Sequence, residues 1–415
     1  MKHFMYLTLA IAILFCSCEQ KQSTTQKPDN KFISISGPDL IKPDGSKLFI
    51  KGTNLGNWLN PEGYMFKFSK ANSPRFINDM FCEMVGPDFT AEFWKSFKEN
   101  YITYEDIKYI RKTGSNTIRL PFHYKLFTDE DFMGLTANQD GFARIDSVVK
   151  WCKQEGLYLI LDMHDAPGGQ TGDNIDDSYG YPWLFESEAS QKLYCDIWRK
   201  IADYYKNEPV ILGYELFNEP IAPYFENMEE LNSKLETIYK MGVAAIREVD
   251  NNHIILLGGA QWNSNFKPLN DSTFDDKLMY TCHRYGGEPT PEAIRGFIEF
   301  RDRVNLPMYM GEIGHNTNEW MAAFCQTMED NNIGWTFWPY KKMDGSSFLG
   351  ITPPENWDKV VSFAEAPRGT YKEIRDARPN QAMARKAMTD FIEASKFRNC
   401  VIQEGYINAL GLQAK

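Results

Sequence analysis

Short apolar runs alternate along this chain with stretches of helical period. Eight runs, at residues 48–55, 116–121, 157–164, 210–217, 253–259, 278–285, 307–313 and 334–338, read as strands. Each is brief, largely apolar and followed by a loop, as strands covered on both faces of a parallel sheet are. Between them the period lengthens. Ile145, Val148, Val149 and Cys152 fall at i, i+3, i+4 and i+7 with Gly156 as a stop, and Leu231, Leu235, Ile238, Gly242, Ala245, Ile246 and Val249 trace a second helical stripe. Thr103, three residues before Asp106, is a capping signal for the helix leading to Gly114. Eight βα units in series predict an α/β fold, a single (β/α)8 TIM barrel over residues 32–415. A doubly wound sheet would usually carry a glycine-rich phosphate turn after its first strand, and no such turn is present.

Two segments exceed the simple repeat. The loop after the first strand, residues 57–100, is long and rich in aromatics, among them Trp58, Tyr64, Phe66, Phe76 and Trp94. Loops of that length are usually functional or carry helices of their own, and this one is expected to wall one side of a cleft. After the eighth strand, residues 356–364 should close the barrel. Residues 380–397 read as a further helix with Met383, Ala387, Met388, Phe391 and Ile392 turned inward.

Composition narrows the partners. The formal net charge of -11 argues against nucleic acid, whose phosphates it would repel, whereas a neutral sugar meets no such penalty. The 43% hydrophobic content is ample for one large core. At the N-terminus, Lys2 precedes an apolar run from Tyr6 to Phe15 that is too short for a comfortable membrane span. The run ends Leu-Phe-Cys-Ser-Cys and resembles a bacterial lipoprotein signal over residues 1–18, with Cys18 favoured over Cys16 as the lipid-bearing residue; an ordinary cleaved secretory signal is the other reading. Either implies export, with membrane contact only through the anchor. Residues 19–31 are polar and read as a tether. Cys82, Cys152, Cys195, Cys282, Cys325 and Cys400 show no zinc or redox spacing and are expected to be buried free thiols, with disulfides the alternative that export leaves open.

The chemistry lies at the strand ends, where barrel enzymes keep it. The fourth run changes abruptly from apolar to Asn218-Glu219, and Pro220 ends its ladder; the seventh carries Glu312 between two glycines. Two carboxylates at the C-terminal ends of two barrel strands are what glycoside hydrolysis by a carboxyl pair requires. The remaining ends supply Arg119, His164, His283, Tyr285 and Trp338. Taken singly, each has an ordinary structural role, but six of eight strand ends bear such residues.

With Asn218-Glu219-Pro220, His283-x-Tyr285, Gly311-Glu312, Arg119 and Phe337-Trp338 in this order, the chain resembles glycoside hydrolase family 5, the cellulase family of retaining (β/α)8 glycosidases, over essentially its whole mature length. The resemblance implies a retaining β-glycosidase acting on a β-glucan or related β-linked glycan, with Glu219 as general acid/base and Glu312 as nucleophile. It also implies sugar contacts from Glu62, Arg119, His164, Asn218, His283, Tyr285 and Trp338, and neither metal nor cofactor. Ionised Glu312 is expected to raise the pKa of Glu219, with Arg119 and Tyr285 orienting Glu312. Within the family, Asn54-Leu55-Gly56-Asn57-Trp58 with Glu62, and the 164–170 run, are similar to the exo-β-1,3-glucanase branch, where a Glu at the position of Glu62 holds the terminal glucose. Asn57 and Asp165 stand where that branch usually has glycine, and residues 173–183 depart from it, so the linkage is open. Action on β-mannan or another β-glycoside is the alternative substrate reading. A carbohydrate-binding barrel that had lost its chemistry would not need both Glu219 and Glu312. A metal-dependent hydrolase would want clustered ligands such as His-x-His, which the six histidines do not form. The expected enzyme is a monomer whose partner is an oligo- or polysaccharide.

Overall fold

The computed structural model describes Met1 and residues 31–136, 140–343 and 345–415. The expected signal and tether, with Cys18, therefore lie almost wholly outside the described residues. Phe32–Lys415 forms one compact unit.

Eight parallel strands close into a barrel: Lys51–Asn54 (β1), Thr117–His123 (β2), Tyr158–Asp165 (β3), Ile211–Glu215 (β4), Ile254–Gly258 (β5), Leu278–His283 (β6), Met308–Gly314 (β7) and Gly334–Trp338 (β8). The ring shuts where Trp335, Thr336 and Phe337 of β8 pair with Lys51, Gly52 and Thr53 of β1. Glycine is required at position 52, where a Cβ would lie 1.8 Å from the Thr117 carbonyl oxygen of β2. The predicted first strand splits in two. Lys47–Leu48 pairs antiparallel with Asp39–Ile41, part of a small N-terminal sheet whose Leu40 and Leu48 pack with Ile160, Leu212, Ile254 and Leu256 of the barrel.

Helices fill the intervals as their stripes predict. Tyr104–Lys112 is capped at Thr103, whose backbone N–H and hydroxyl both donate to Asp106 Oδ2, at 2.8 and 2.9 Å. Asp140–Glu155 and Met228–Arg247 bury the two stripes read from sequence, except that Val249 lies past the end of the second helix and is only partly buried. The long 57–100 segment folds into two helices, Pro74–Val85 and Pro87–Asn100. Most of its aromatics turn away from the barrel mouth. Phe68, Phe93 and Phe97 instead pack against Trp357 and Phe391, which belong to the C-terminal helices Trp357–Ala364 and Gln381–Ser395. The six cysteines among the described residues are free; Cys152, Cys282 and Cys325 are buried. Among the described residues no helix is long and apolar enough to cross a membrane.

Candidate active site

Register places the carboxylates. β6 and β7 shift by one residue between Cys282 and His283, so that His283 faces Glu312 across the ladder. Such irregularities at strand ends re-aim side chains. At the end of β4 the backbone turns sharply: Glu219 has φ 44° and Ile221 φ 57°. The loop after β3 clamps that turn. The Gln170 carboxamide donates to the carbonyls of His164 and Asn218, each at 2.8 Å, Ile221 N–H donates to Gln170 O, and the Thr171 hydroxyl donates to Glu219 O at 2.7 Å. Strain of this kind persists where the surroundings over-determine it.

Arg119 is the hub. Its side chain is fully buried and its Nε and Nη2 reach Glu215 at 2.9 and 2.7 Å in a two-pronged pair. Nη1 donates to Glu312 Oε1 at 2.8 Å and to Asn54 Oδ1 at 3.0 Å, while Nη2 also donates to Asn218 Oδ1 and lies 3.0 Å from Asp162. The Tyr285 hydroxyl donates to the other oxygen of Glu312 at 2.5 Å. Arg119 and Tyr285 therefore hold Glu312 from two sides, as expected. Glu215 and Asp162 join the site although the strand-end pattern does not single them out. A signal for them is present in the sequence, since a carboxylate inside a buried strand needs a cationic partner.

Asn218 is fixed at both ends of its amide, its Oδ1 by Arg119 and its Nδ2 3.3 Å from His164 Nε2, with His164 Nδ1 2.7 Å from Asp162. Burial pushes His164 down to about 4, so the ring is neutral near pH 7. Trp338 stacks on His164 with centroids 5.2 Å apart, and its Nε1–H donates to the Tyr64 hydroxyl at 2.7 Å. The Trp338 ring, for which the resemblance implies a sugar contact, is only 3% exposed. Tyr64 is the aromatic of the 57–100 segment that reaches the mouth.

One oxygen of Glu219 and one of Glu312 lie within 4.8 Å of each other, and both lie within that distance of a His283 ring nitrogen. His283 Nδ1 is 2.7 Å from Glu219 Oε1 and 3.6 Å from Glu312 Oε2. Among the described residues this trio is the one group with the donor set for a metal ion. Arg119 and Tyr285 already occupy both oxygens of Glu312, an arrangement suited to proton and nucleophile chemistry. The pKa of Glu219 is raised to about 7. Burial is the largest cause and the charges of Glu215 and Asp173 add to it, against His164 and Arg119. Burial therefore stands in the place expected of the charge on Glu312.

Glu62 is 3% exposed and its backbone N–H donates to Asn57 Oδ1 at 3.0 Å. Asn57 adopts φ 66°, a left-handed conformation that asparagine tolerates and glycine prefers. Burial, then the charges of Glu312 and Glu219, hold Glu62 well above the usual carboxylate range, and its Oε1 has no hydrogen-bond partner. Asp165 is fully buried and neither of its oxygens has a partner. A separate surface cavity of about 430 Å³, lined by Arg75, Asp79, Cys82, Lys125 and Asp177, contains neither Glu219 nor Glu312.

Residues 82–344 match the model of the cellulase family, glycosyl hydrolase family 5. A β-xylosidase of Phanerodontia chrysosporium is 29% identical over 357 residues, spanning 77% of this chain and 73% of that protein. Endoglucanase C of Acetivibrio thermocellus is 29% identical over 314 residues, 61% of this chain and 88% of its own. Among solved structures, a β-glucanase from Saccharophagus degradans in complex with cellotetraose aligns with TM-score 0.54 at 19% identity, over 88% of this chain and 94% of that one. That likeness bears on the fold.

Proposed function

The chain belongs to glycosyl hydrolase family 5, and on that premise we propose that it hydrolyses a β-glucan or a closely related β-linked glycan by double displacement at Glu219 and Glu312. The observation that carries this reading is the carboxylate spacing, within 4.8 Å. A retaining pair stands about 5 Å apart, whereas an inverting pair leaves about 6.5–9.5 Å for a water.

Glu312, aimed by Arg119 and Tyr285, attacks the anomeric carbon while Glu219 gives its proton to the leaving oxygen. A pKa of about 7 keeps much of Glu219 protonated in mildly acidic and neutral solution, as an acid must be. Forming the glycosyl-enzyme consumes the charge of Glu312. Glu219 then takes a proton from water, which displaces the sugar with net retention. The second amide hydrogen of Asn218 serves the 2-hydroxyl of the sugar at the cleavage position, and the unpartnered Oε1 of Glu62 grips a terminal sugar, which favours release of single units from the non-reducing end.

The test is a time course on short β-1,3-, β-1,4- and β-1,6-linked gluco-oligosaccharides, with the anomer of the first product read by proton NMR. Single glucose units released as the β-anomer are expected. Initial α-anomer would overturn the double displacement; no cleavage of any glucan would overturn the substrate class and move it to mannan or another β-glycoside. We also propose a monomer exported and anchored through a lipid on Cys18. Its check is metabolic labelling with an alkynyl fatty acid, which Cys18→Ser should abolish.

A further inference from the structure

After β5 the chain makes a turn that few sequences tolerate. Gln261, Trp262 and Asn263 are consecutive non-glycine residues with φ of 49°, 58° and 57°. Left-handed backbone costs such residues about 1 kcal/mol or more each, so three in a row need a strong local reason. What the turn delivers is the Asn263 side chain, fully buried against Gly258, where a Cβ would lie 2.0 Å from Asn263 Oδ1.

From there Asn263 Nδ2 lies 3.1 Å from His283 Nε2, on the far side of the ring from Glu219 and Glu312. Glu219 can accept from an Nδ1–H or, when protonated, donate to a bare Nδ1, so the groups at Nδ1 do not by themselves fix the tautomer; a proton on Nδ1 leaves a lone pair on Nε2. A buried lone pair needs a donor, and Asn263 supplies it.

We propose that Asn263 is a positioning residue for the acid/base: it holds His283 in the neutral, Nδ1-protonated form, so that Glu219 Oε1 accepts from His283 and the acid's own proton resides on Oε2. This rests on the role given to Glu219 above. If the ring carried its proton on Nε2 instead, the bare Nδ1 would hold the Glu219 proton and repel the carboxylate needed in the second step. The charged and titratable groups facing this pair are Glu62 from the loop after β1, Arg119 from β2, Asp162 and His164 from β3, Asp173 from the following loop, Glu215 from β4, Tyr285 just past β6 and Glu312 from β7. The hydrogen-bond partner at His283 Nε2 is Asn263, from none of those elements.

The experiment compares the full chain with Asn263→Leu and Asn263→Asp, folding being checked by thermal melting. Nitrogen-15 NMR of histidine-labelled protein, with His283 assigned from the signals missing in His283→Gln, reads the tautomer directly. The wild type should show Nδ1 protonated, and Asn263→Leu should move the proton to Nε2. On 4-nitrophenyl β-cellobioside, the basic limb of kcat/KM should rise by about one pH unit in Asn263→Leu. It should fall by about one in Asn263→Asp, where the new carboxylate favours a charged ring. An unchanged tautomer in Asn263→Leu, or reduced activity with both limbs where the wild type has them, overturns the proposal. Labelling wild-type Glu312 with a 2-deoxy-2-fluoro cellobioside separates the two readings. Without label the glycosidase assignment fails, and the tautomer still decides the Asn263 contact; with label and unmoved limbs, Asn263 alone fails.

Discussion

Replacing Glu219 by glutamine should make the protein gain stability relative to the wild type as pH rises. The folded state raises the pKa of Glu219 from 4.5 to about 7. A raised pKa means the native state binds the proton more tightly than the unfolded chain, so the associated stability is complete below pH 4.5 and is lost as pH climbs toward 7. At about 1.4 kcal/mol per tenfold change in the proton affinity, the full loss is about 3.4 kcal/mol. The side chain is 13% exposed and retains a contact to His283, so solvent access and relaxation reduce this to about 2 kcal/mol. Glutamine mimics the protonated acid and cannot ionise. Whatever offset separates Glu219→Gln from the wild type at pH 4, the variant should gain about 2 kcal/mol on top of it by pH 8. Urea unfolding followed by the fluorescence of the ten tryptophans measures this directly. A difference between the two proteins that does not change from pH 4 to pH 8 would refute the claim that burial sets the acidity of Glu219.

Arg119→Met leaves Glu215, Asp162 and Glu312 without their shared cation and should cost about 3–5 kcal/mol in urea unfolding. Arg119→Lys keeps the charge but not the fork, and should fold while losing about 100-fold in kcat. Asp165 is held well above the usual carboxylate range by burial, so Asp165→Asn should raise the melting temperature more at pH 8 than at pH 4. Glu62→Ala should lower kcat/KM on gluco-oligosaccharides by about tenfold, the size of one lost hydrogen bond to a sugar hydroxyl.

Much of this is readable in the sequence because polar residues interrupt apolar runs where strands end. Asn218-Glu219 after a run of apolar residues, and Glu312 between glycines, announce themselves, and all eight predicted strands are present in the barrel. The first strand is shorter than its apolar run because Leu48 is apolar for a different partner, the N-terminal sheet. The 57–100 aromatics read as cleft walls, yet the helices that cover them come from near the far end of the chain, a pairing that local pattern does not carry. Glu215 and Asp162 can be found by asking what would neutralise acids inside buried strands. Asn263 cannot, since its role depends on a left-handed turn that no glycine marks. The main cause of the Glu219 shift is hidden for a related reason: neighbouring charges can be read from motifs, whereas desolvation depends on how tightly the folded chain closes around the group.

The most direct test of the carboxylate assignment is to trap the intermediate. Incubation with an activated 2-deoxy-2-fluoro β-glucoside or cellobioside, followed by proteolysis and mass spectrometry, should find the fluorosugar on the peptide containing Glu312, bound to that side chain, with loss of activity in step with labelling. A label on any other residue, or full turnover of the reagent with none retained on the protein, would contradict the assignment of Glu312 as the nucleophile.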